Sequence, residues 1–333
     1  VGWQILPKVI LHLTDAGNTK ILLMITTDKK FIPVMLTPFD EKGAIDKDAL
    51  ARLTEYYIQS GAKGLFANCL SSEMYELTPD ERVMATRLIT QTVNGRVPVV
   101  ATGIFERDAA ANVEFIKRIH DTGVDSVILT TSLLADEEQP DSVLEAAFDE
   151  ILNRTEGINF GFYECPLPYK RIVSPALLGR LLQWGRVTYF KDTSLNLEQV
   201  TEKIAVGEGY QFGLYDAYMV NAVASLRAGA AGLSCIQGNY FPELVAWLCE
   251  NYNKPRLAPQ VLRAQQFFTD NMDIMHDYYP TSAKEMLELR GFAINTFSRK
   301  GTPRPSPEDA QKFAQLYRAY REIEEELLLN TVL

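Results

Sequence analysis

The chain has 333 residues, 47% apolar and 23% charged, a composition that suits one large α/β domain or two small ones. A net charge of −10 without a basic cluster argues against nucleic acid or an anionic membrane surface as partner, and no apolar run approaches the roughly 18 residues of a membrane span. Cys69, Cys165, Cys235 and Cys249 show neither CxxC nor paired spacing, and His12, His120 and His276 fall in no ligand pattern. Reduced thiols, a cytoplasmic setting, no metal and no cofactor are therefore expected.

Val1–Leu23 lacks the cationic start, apolar core and small-residue cleavage site of a signal peptide. Met24 opens a segment that resembles an ordinary start, so residues 1–23 are read as an extension outside the fold. From Phe31 onward, short apolar strands alternate with helical periodicity. Phe31–Leu36 is followed by Lys47–Gln59, Gly64–Ala67 by Pro79–Val93, and Val97–Ala101 by Ala109–Thr122. The fourth and fifth units are Ser126–Leu129 with Asp141–Asn153 and Asn159–Tyr163 with Pro175–Gln183. Val187–Phe190 with Leu195–Ala205, Tyr210–Gly213 with Tyr218–Arg227, and Gly232–Cys235 with Pro242–Tyr252 complete the series. Eight such units in about 220 residues, with strands apolar throughout, predict an α/β fold, a (β/α)8 TIM barrel over 24–254. A doubly wound open sheet is the alternative, but no GxGxxG follows an early strand. After Pro255 only helices are expected, near Ala258–Met272, Thr281–Gly291 and Pro307–Leu328, which makes 255–333 a C-terminal helical extension packed on the barrel.

A barrel of this kind carries its chemistry at the C-terminal ends of its strands. Lys191 is the only lysine directly at such an end, because Lys63 precedes its strand and Lys170 lies within a loop. An ammonium held in a barrel core loses solvation, which lowers its pKa and leaves the free amine that Schiff-base chemistry needs. The plain alternative is a lysine that reaches solvent or pairs with the adjacent Asp192. Thr37, Ser71, Ser72, Tyr163, Tyr215, Asp216 and Asn239 fall at other strand ends. Tyr215, Asp216 and Asn239 are placed to touch the distal part of a substrate. Glu73 and Asp192 are read as structural, and Glu285 and Glu288 as a solvated helix face.

The strand ends taken in order resemble the dihydrodipicolinate synthase / N-acetylneuraminate lyase family of class I pyruvate-dependent aldolases, from about Phe31 to the C-terminal helices. The likeness is carried by Pro33-Val34-Met35-Leu36-Thr37-Pro38-Phe39-Asp40, Leu77-Thr78-Pro79-Asp80-Glu81-Arg82, Pro98-Val99-Val100-Ala101-Thr102-Gly103, Tyr163-Glu164-Cys165-Pro166 and Phe190-Lys191-Asp192-Thr193-Ser194. It implies that Lys191 forms the imine with pyruvate or another 2-keto acid, that Tyr163 shuttles protons, and that Ser71 with the amides of Ser71 and Ser72 binds the keto-acid carboxylate. It implies too a small-molecule 2-keto acid and an aldehyde as partners, and a homo-oligomer, tetramer or dimer. Three departures stand out. The loop that usually reads Gly-[Ser/Thr]-Thr-Gly-Glu is here Cys69-Leu70-Ser71-Ser72-Glu73. A lid tyrosine after the fourth strand is replaced within Thr131-Ser132-Leu133-Leu134. An arginine that holds a dicarboxylate gives way to Leu167-Pro168-Tyr169-Lys170-Arg171. These disfavour the lysine-biosynthetic substrate and leave a sugar-acid-derived keto acid as the expectation, cleaved or condensed by an aldolase. A keto-deoxy sugar acid dehydratase using the same imine, and a barrel that binds a keto acid without turnover, are the alternatives.

Overall fold

The computed structural model describes residues 28–329 and 333; the extension expected over 1–23 and the start at Met24 lie outside them. Its strands are β1 (Lys30–Phe31), β2 (Leu65–Phe66), β3 (Val99–Thr102), β4 (Ser126–Thr130), β5 (Phe160–Tyr163), β6 (Val187–Asp192), β7 (Gly213–Asp216) and β8 (Gly232–Leu233). They form one parallel sheet with neighbours in the order β1-β8-β7-β6-β5-β4-β3-β2. The two ends meet where Val34 bridges Phe66 in parallel, with Phe66 N donating to Pro33 O and Met35 N to Phe66 O, both at 3.0 Å. That closure makes the sheet a barrel, since an open doubly wound sheet would leave β1 and β2 as edges.

Alternation along the strands sorts side chains into two layers. Val100, Ile128, Tyr163, Tyr189 and Tyr215 pack together inside the barrel. Val99, Val127, Phe160, Phe162, Phe190 and Leu214 face outward into the helical shell. Gly161 occupies an inward position opposite the large Tyr189, where a Cβ would come within 2.8 Å of Tyr189 O and 2.6 Å of Ile128 Cδ1. Local signals start the surrounding helices. Asp46 caps Lys47–Gln59 through Ala49 N, and Thr78 and Glu81 form a reciprocal capping box on Pro79–Val93.

Two strands depart from expectation. The first, read as Phe31–Leu36, keeps ladder pairing only at Lys30–Phe31 and the Val34 bridge, because Pro33 has no N–H to donate. The seventh, read as Tyr210–Gly213, lies three residues later: Gly209 turns the chain with φ +85°, Tyr210 is exposed, and Gly213–Asp216 forms the buried run. Tyr215 and Asp216 are thus inside the strand rather than beyond it. In the C-terminal part the helices are Ala258–Asp270, Met272–His276, Thr281–Leu289 and Pro307–Leu327. Two buried ion pairs hold them to barrel segments: Lys284 Nζ to Glu73 Oε1 at 2.9 Å, and Arg290 Nη2 to Glu243 Oε1 at 2.9 Å. Glu285 and Glu288 instead pair with the exposed Arg304 at the surface.

Candidate active site

The pairing register of the central strands assembles the site. Tyr163 on β5 is paired with Lys191 on β6, and Lys191 with Tyr215 on β7, so the three side chains share one layer of the barrel interior. Lys191 is 4% exposed, with its Nζ 4.4 Å from the centroid of the Tyr163 ring and 5.9 Å from that of Phe66. Burial lowers its pKa from the ordinary lysine range, only partly opposed by the thiols of Cys69, Cys165 and Cys235 around it. Among the described residues no carboxylate lies within ion-pair distance of this amine. Asp192, one residue on, points out of the barrel and is held there at 2.6 Å by Lys203 Nζ, so the reading in which it pairs with Lys191 does not hold. Burial raises the Tyr163 phenol well above its usual range, and the Cys165 thiol lies within hydrogen-bonding reach of it.

The mouth above this layer is built by the Cys69–Glu73 loop and the C-terminal helices. Leu70–Ser72 forms one 3-10 turn, and Glu73 closes it in the left-handed region at φ 57°. Thr37 Oγ1 donates to Ser72 O at 2.8 Å, and Ser72 Oγ lies 2.7 Å from Met35 O and 2.8 Å from Ala67 O while accepting from Cys69 N at 3.1 Å. Both hydroxyls therefore clamp the loop to the segments that follow β1 and β2. Glu73, as expected, is structural: Lys284 Nζ, Ser298 Oγ and Lys300 N all reach its carboxylate at 2.9 Å. Ser71 is placed differently, with its side chain in hydrogen-bonding reach of the Tyr279 hydroxyl. Asn239 is buried and fully engaged: Tyr57 OH donates to its Oδ1 at 2.5 Å, and its Nδ2 donates to Val34 O at 2.9 Å and to the Tyr279 oxygen at 2.6 Å. Its expected contact with substrate becomes a contact with Tyr279. Tyr215 stacks on Tyr189 with centroids 4.7 Å apart, and its hydroxyl turns back toward Gly213, away from the mouth. Asp216, the next residue and so on the opposite face of the strand, is buried and accepts from Tyr218 N.

Behind the amine lies a buried triad that no sequence pattern announced. Lys203 Nζ bridges Glu164 Oε1 at 2.7 Å and Asp192 Oδ2 at 2.6 Å, all three without solvent exposure. Val173 N and Thr193 N donate to the two oxygens of Glu164 at 2.9 Å each. The triad ties the end of β5 to the end of β6 and so fixes Tyr163 against Lys191. Burial and the neighbouring Asp192 raise Glu164 to about 7, against the pull of Lys203.

A family model of the Dihydrodipicolinate synthetase family matches residues 28–319. The chain belongs to this family. Its members are Schiff-base, pyruvate-dependent lyases of the class I aldolase type. Among curated relatives, the 4-hydroxy-tetrahydrodipicolinate synthase of Oceanobacillus iheyensis is 26% identical over 265 residues, which cover 80% of this chain and 88% of that protein. The Bacillus subtilis synthase is 25% identical over 263 residues, 79% of this chain and 89% of its own. Among solved structures, a dihydrodipicolinate synthase from Bacillus anthracis superposes with a TM-score of 0.78 at 21% identity, covering 87% of this chain and 98% of that one. A prophage protein of the same family from E. coli K12, solved in complex with pyruvate, gives 0.76 at 21% identity over 89% and 98%. At these identities the superpositions speak for the fold.

Within that family the departures take a physical form. Lys170 Nζ donates to Thr193 O at 2.8 Å, and Arg171 Nη1 is spent on Asp136 O, Glu137 O and Gln139 O. Neither cation is free to replace the missing arginine. Leu70 and Leu133, in place of a hydroxyl and of the lid tyrosine, both face a cavity at the mouth. Tyr279, which meets Asn239 at the mouth, is a residue that the sequence does not single out. It arrives from the C-terminal part of the chain, more than a hundred positions after Tyr163, and no spacing links the two. Among the described residues no group of three or more His, Cys, Asp or Glu is arranged to hold a metal, and no helix is long and apolar enough to cross a membrane.

Proposed function

We propose that this chain is a class I aldolase that makes or breaks a carbon–carbon bond next to a pyruvyl unit through an imine on Lys191. The observation that carries the reading is the β5–β6 register, which sets a buried amine without a carboxylate partner beside a buried phenol. Lys191 Nζ attacks the C2 ketone of pyruvate, and loss of water gives the protonated imine. That cation is the electron sink into which a C3 proton, or a C3–C4 bond, is released to give the enamine. Tyr163 carries the proton to and from the oxygen atoms at C2 and on the aldehyde. Ser71, at the start of the 3-10 turn where backbone N–H groups lack helical partners, binds the keto-acid carboxylate. Tyr279, held by Asn239 and in reach of Ser71, serves as a second phenol at the mouth from within the same chain, in a protein without the lid tyrosine.

Nothing in the site's own residues speaks for the finer expectation of a sugar-acid substrate. Tyr215 lies inside the barrel, and Asn239 is engaged by three protein groups. The test that needs no aldehyde is exchange of the pyruvate methyl protons with solvent deuterium, followed by NMR. The wild-type protein exchanges them catalytically, at a rate that rises with pH and levels off below the ordinary lysine range, because burial lowers the pKa of Lys191. Tyr163→Phe slows the exchange by about 10²-fold with an unchanged fold. Tyr279→Phe retains exchange but lowers pyruvate affinity by roughly tenfold, since Ser71 loses the hydroxyl beside it. A wild-type protein that binds pyruvate and exchanges nothing would make it a binding barrel and end the aldolase reading.

A further inference from the structure

Next to the Cys69–Glu73 loop the mouth opens into a cavity of about 420 Å³, in the size range of small-molecule sites. Its wall is formed by Leu70, Tyr75, Leu133, Leu167 and Pro168, with Glu73 and the exposed Glu76 and Lys300 at its edge. Three of the wall residues are tied through the chain to the reaction centre. Leu70 precedes Ser71, Leu133 follows closely on Thr130, the cross-strand partner of Tyr163, and Leu167 follows Tyr163 on the same loop. Leu70 and Tyr75 pack against the inner cluster that contains Tyr163 and Cys165, so the cavity abuts the layer that holds Lys191.

The body of this wall is apolar and offers little of what a sugar chain requires, the charged groups lying at its edge. Tyr75 OH donates to Leu167 O at 3.3 Å, and Ser132 Oγ to the same carbonyl at 3.2 Å. Glu73, which also borders the space, is saturated by Lys284, Ser298 and the Lys300 amide. A polyhydroxylated ligand would bury hydroxyls against leucine and proline with few groups to meet them, whereas an apolar group gains from leaving water.

We infer that the aldehyde half of the substrate is apolar, an aryl or branched alkyl group that fills the cavity lined by Leu70, Leu133 and Leu167. This rests on the Lys191 imine of the preceding subsection and adds the identity of the carbonyl partner. Removal of one C3 proton from the imine gives the enamine. Its C3 then bonds to the aldehyde carbon, and the aldehyde oxygen takes one proton to become a hydroxyl. Water hydrolyses the resulting imine, restoring the amine and releasing a 4-hydroxy-2-keto acid with the apolar group on C4. No oxidant or reductant enters.

The experiment measures condensation of pyruvate with benzaldehyde, D-glyceraldehyde and succinic semialdehyde by the full-length protein. Benzaldehyde is expected to give a kcat/KM about tenfold or more above either polar aldehyde. Leu133→Asn is expected to lower that value for benzaldehyde by about tenfold, mainly through KM. The inference is overturned if D-glyceraldehyde or succinic semialdehyde is used as well as benzaldehyde. It is also overturned if pyruvate methyl exchange proceeds and benzaldehyde is not condensed; in that case the imine reading survives. Absence of the exchange removes both together.

Discussion

Lys191→Met abolishes methyl exchange and condensation, and leaves the protein at least as stable as the parent. The amine is 4% exposed and has no carboxylate within ion-pair distance among the described residues, so it is held in the barrel at a cost in solvation. A thioether of similar length removes that cost and adds apolar contact with Phe66 and Tyr163, rings that lie within 5.9 Å and 4.4 Å of the amine. The unfolding free energy is expected to rise by about 1 kcal/mol, the trade common at functional positions. Denaturant unfolding of the two proteins reads this directly. A loss of several kcal/mol would mean that the ammonium has a structural partner and is not a free nucleophile.

Lys203→Met has the opposite outcome. It strands Glu164 and Asp192 as neighbouring carboxylates with no solvent exposure, and breaking a buried ion pair from one side costs about 3–5 kcal/mol. The loss depends on pH with a definite sign. Glu164 is raised to about 7 in the folded protein, so between the ordinary carboxylate range and about 7 the folded state holds more protons than the unfolded chain. Its contribution to stability is therefore present at low pH and is lost as pH rises through that window. Removing Lys203 takes away the charge that holds this value down. The variant is expected to lose stability more steeply than the parent over that window and to recover part of the difference on acidification. Unfolding midpoints at about pH 5 and pH 8 test this; a variant equally destabilised at both would contradict it.

The eight-fold alternation of apolar strands and amphipathic helices was legible because each strand buries both faces and each helix carries one apolar stripe. Lys191 was legible for the complementary reason, as a charge placed where the core has no structural use for one. What stayed hidden depended on register and on distance in sequence. Tyr215 reads as a mouth residue only with the seventh strand three residues earlier, across the turn at Gly209, and the observed register converts that rim contact into a core stack on Tyr189. Thr37, Ser72 and Asn239 have the residue types of ligand contacts, but their side-chain polar atoms are engaged by backbone, by Tyr57 or by Tyr279. Only three-dimensional proximity could reveal that. The Glu164–Asp192–Lys203 triad and Tyr279 join segments far apart in the chain, and single-sequence periodicity carries no information about such pairs.

The most direct measurement is borohydride reduction of the wild-type protein with and without pyruvate, followed by intact mass and peptide mapping. The account predicts a pyruvate-dependent mass gain confined to the peptide that contains Lys191. No adduct, or an adduct on Lys203 or Lys284 in place of Lys191, would contradict it.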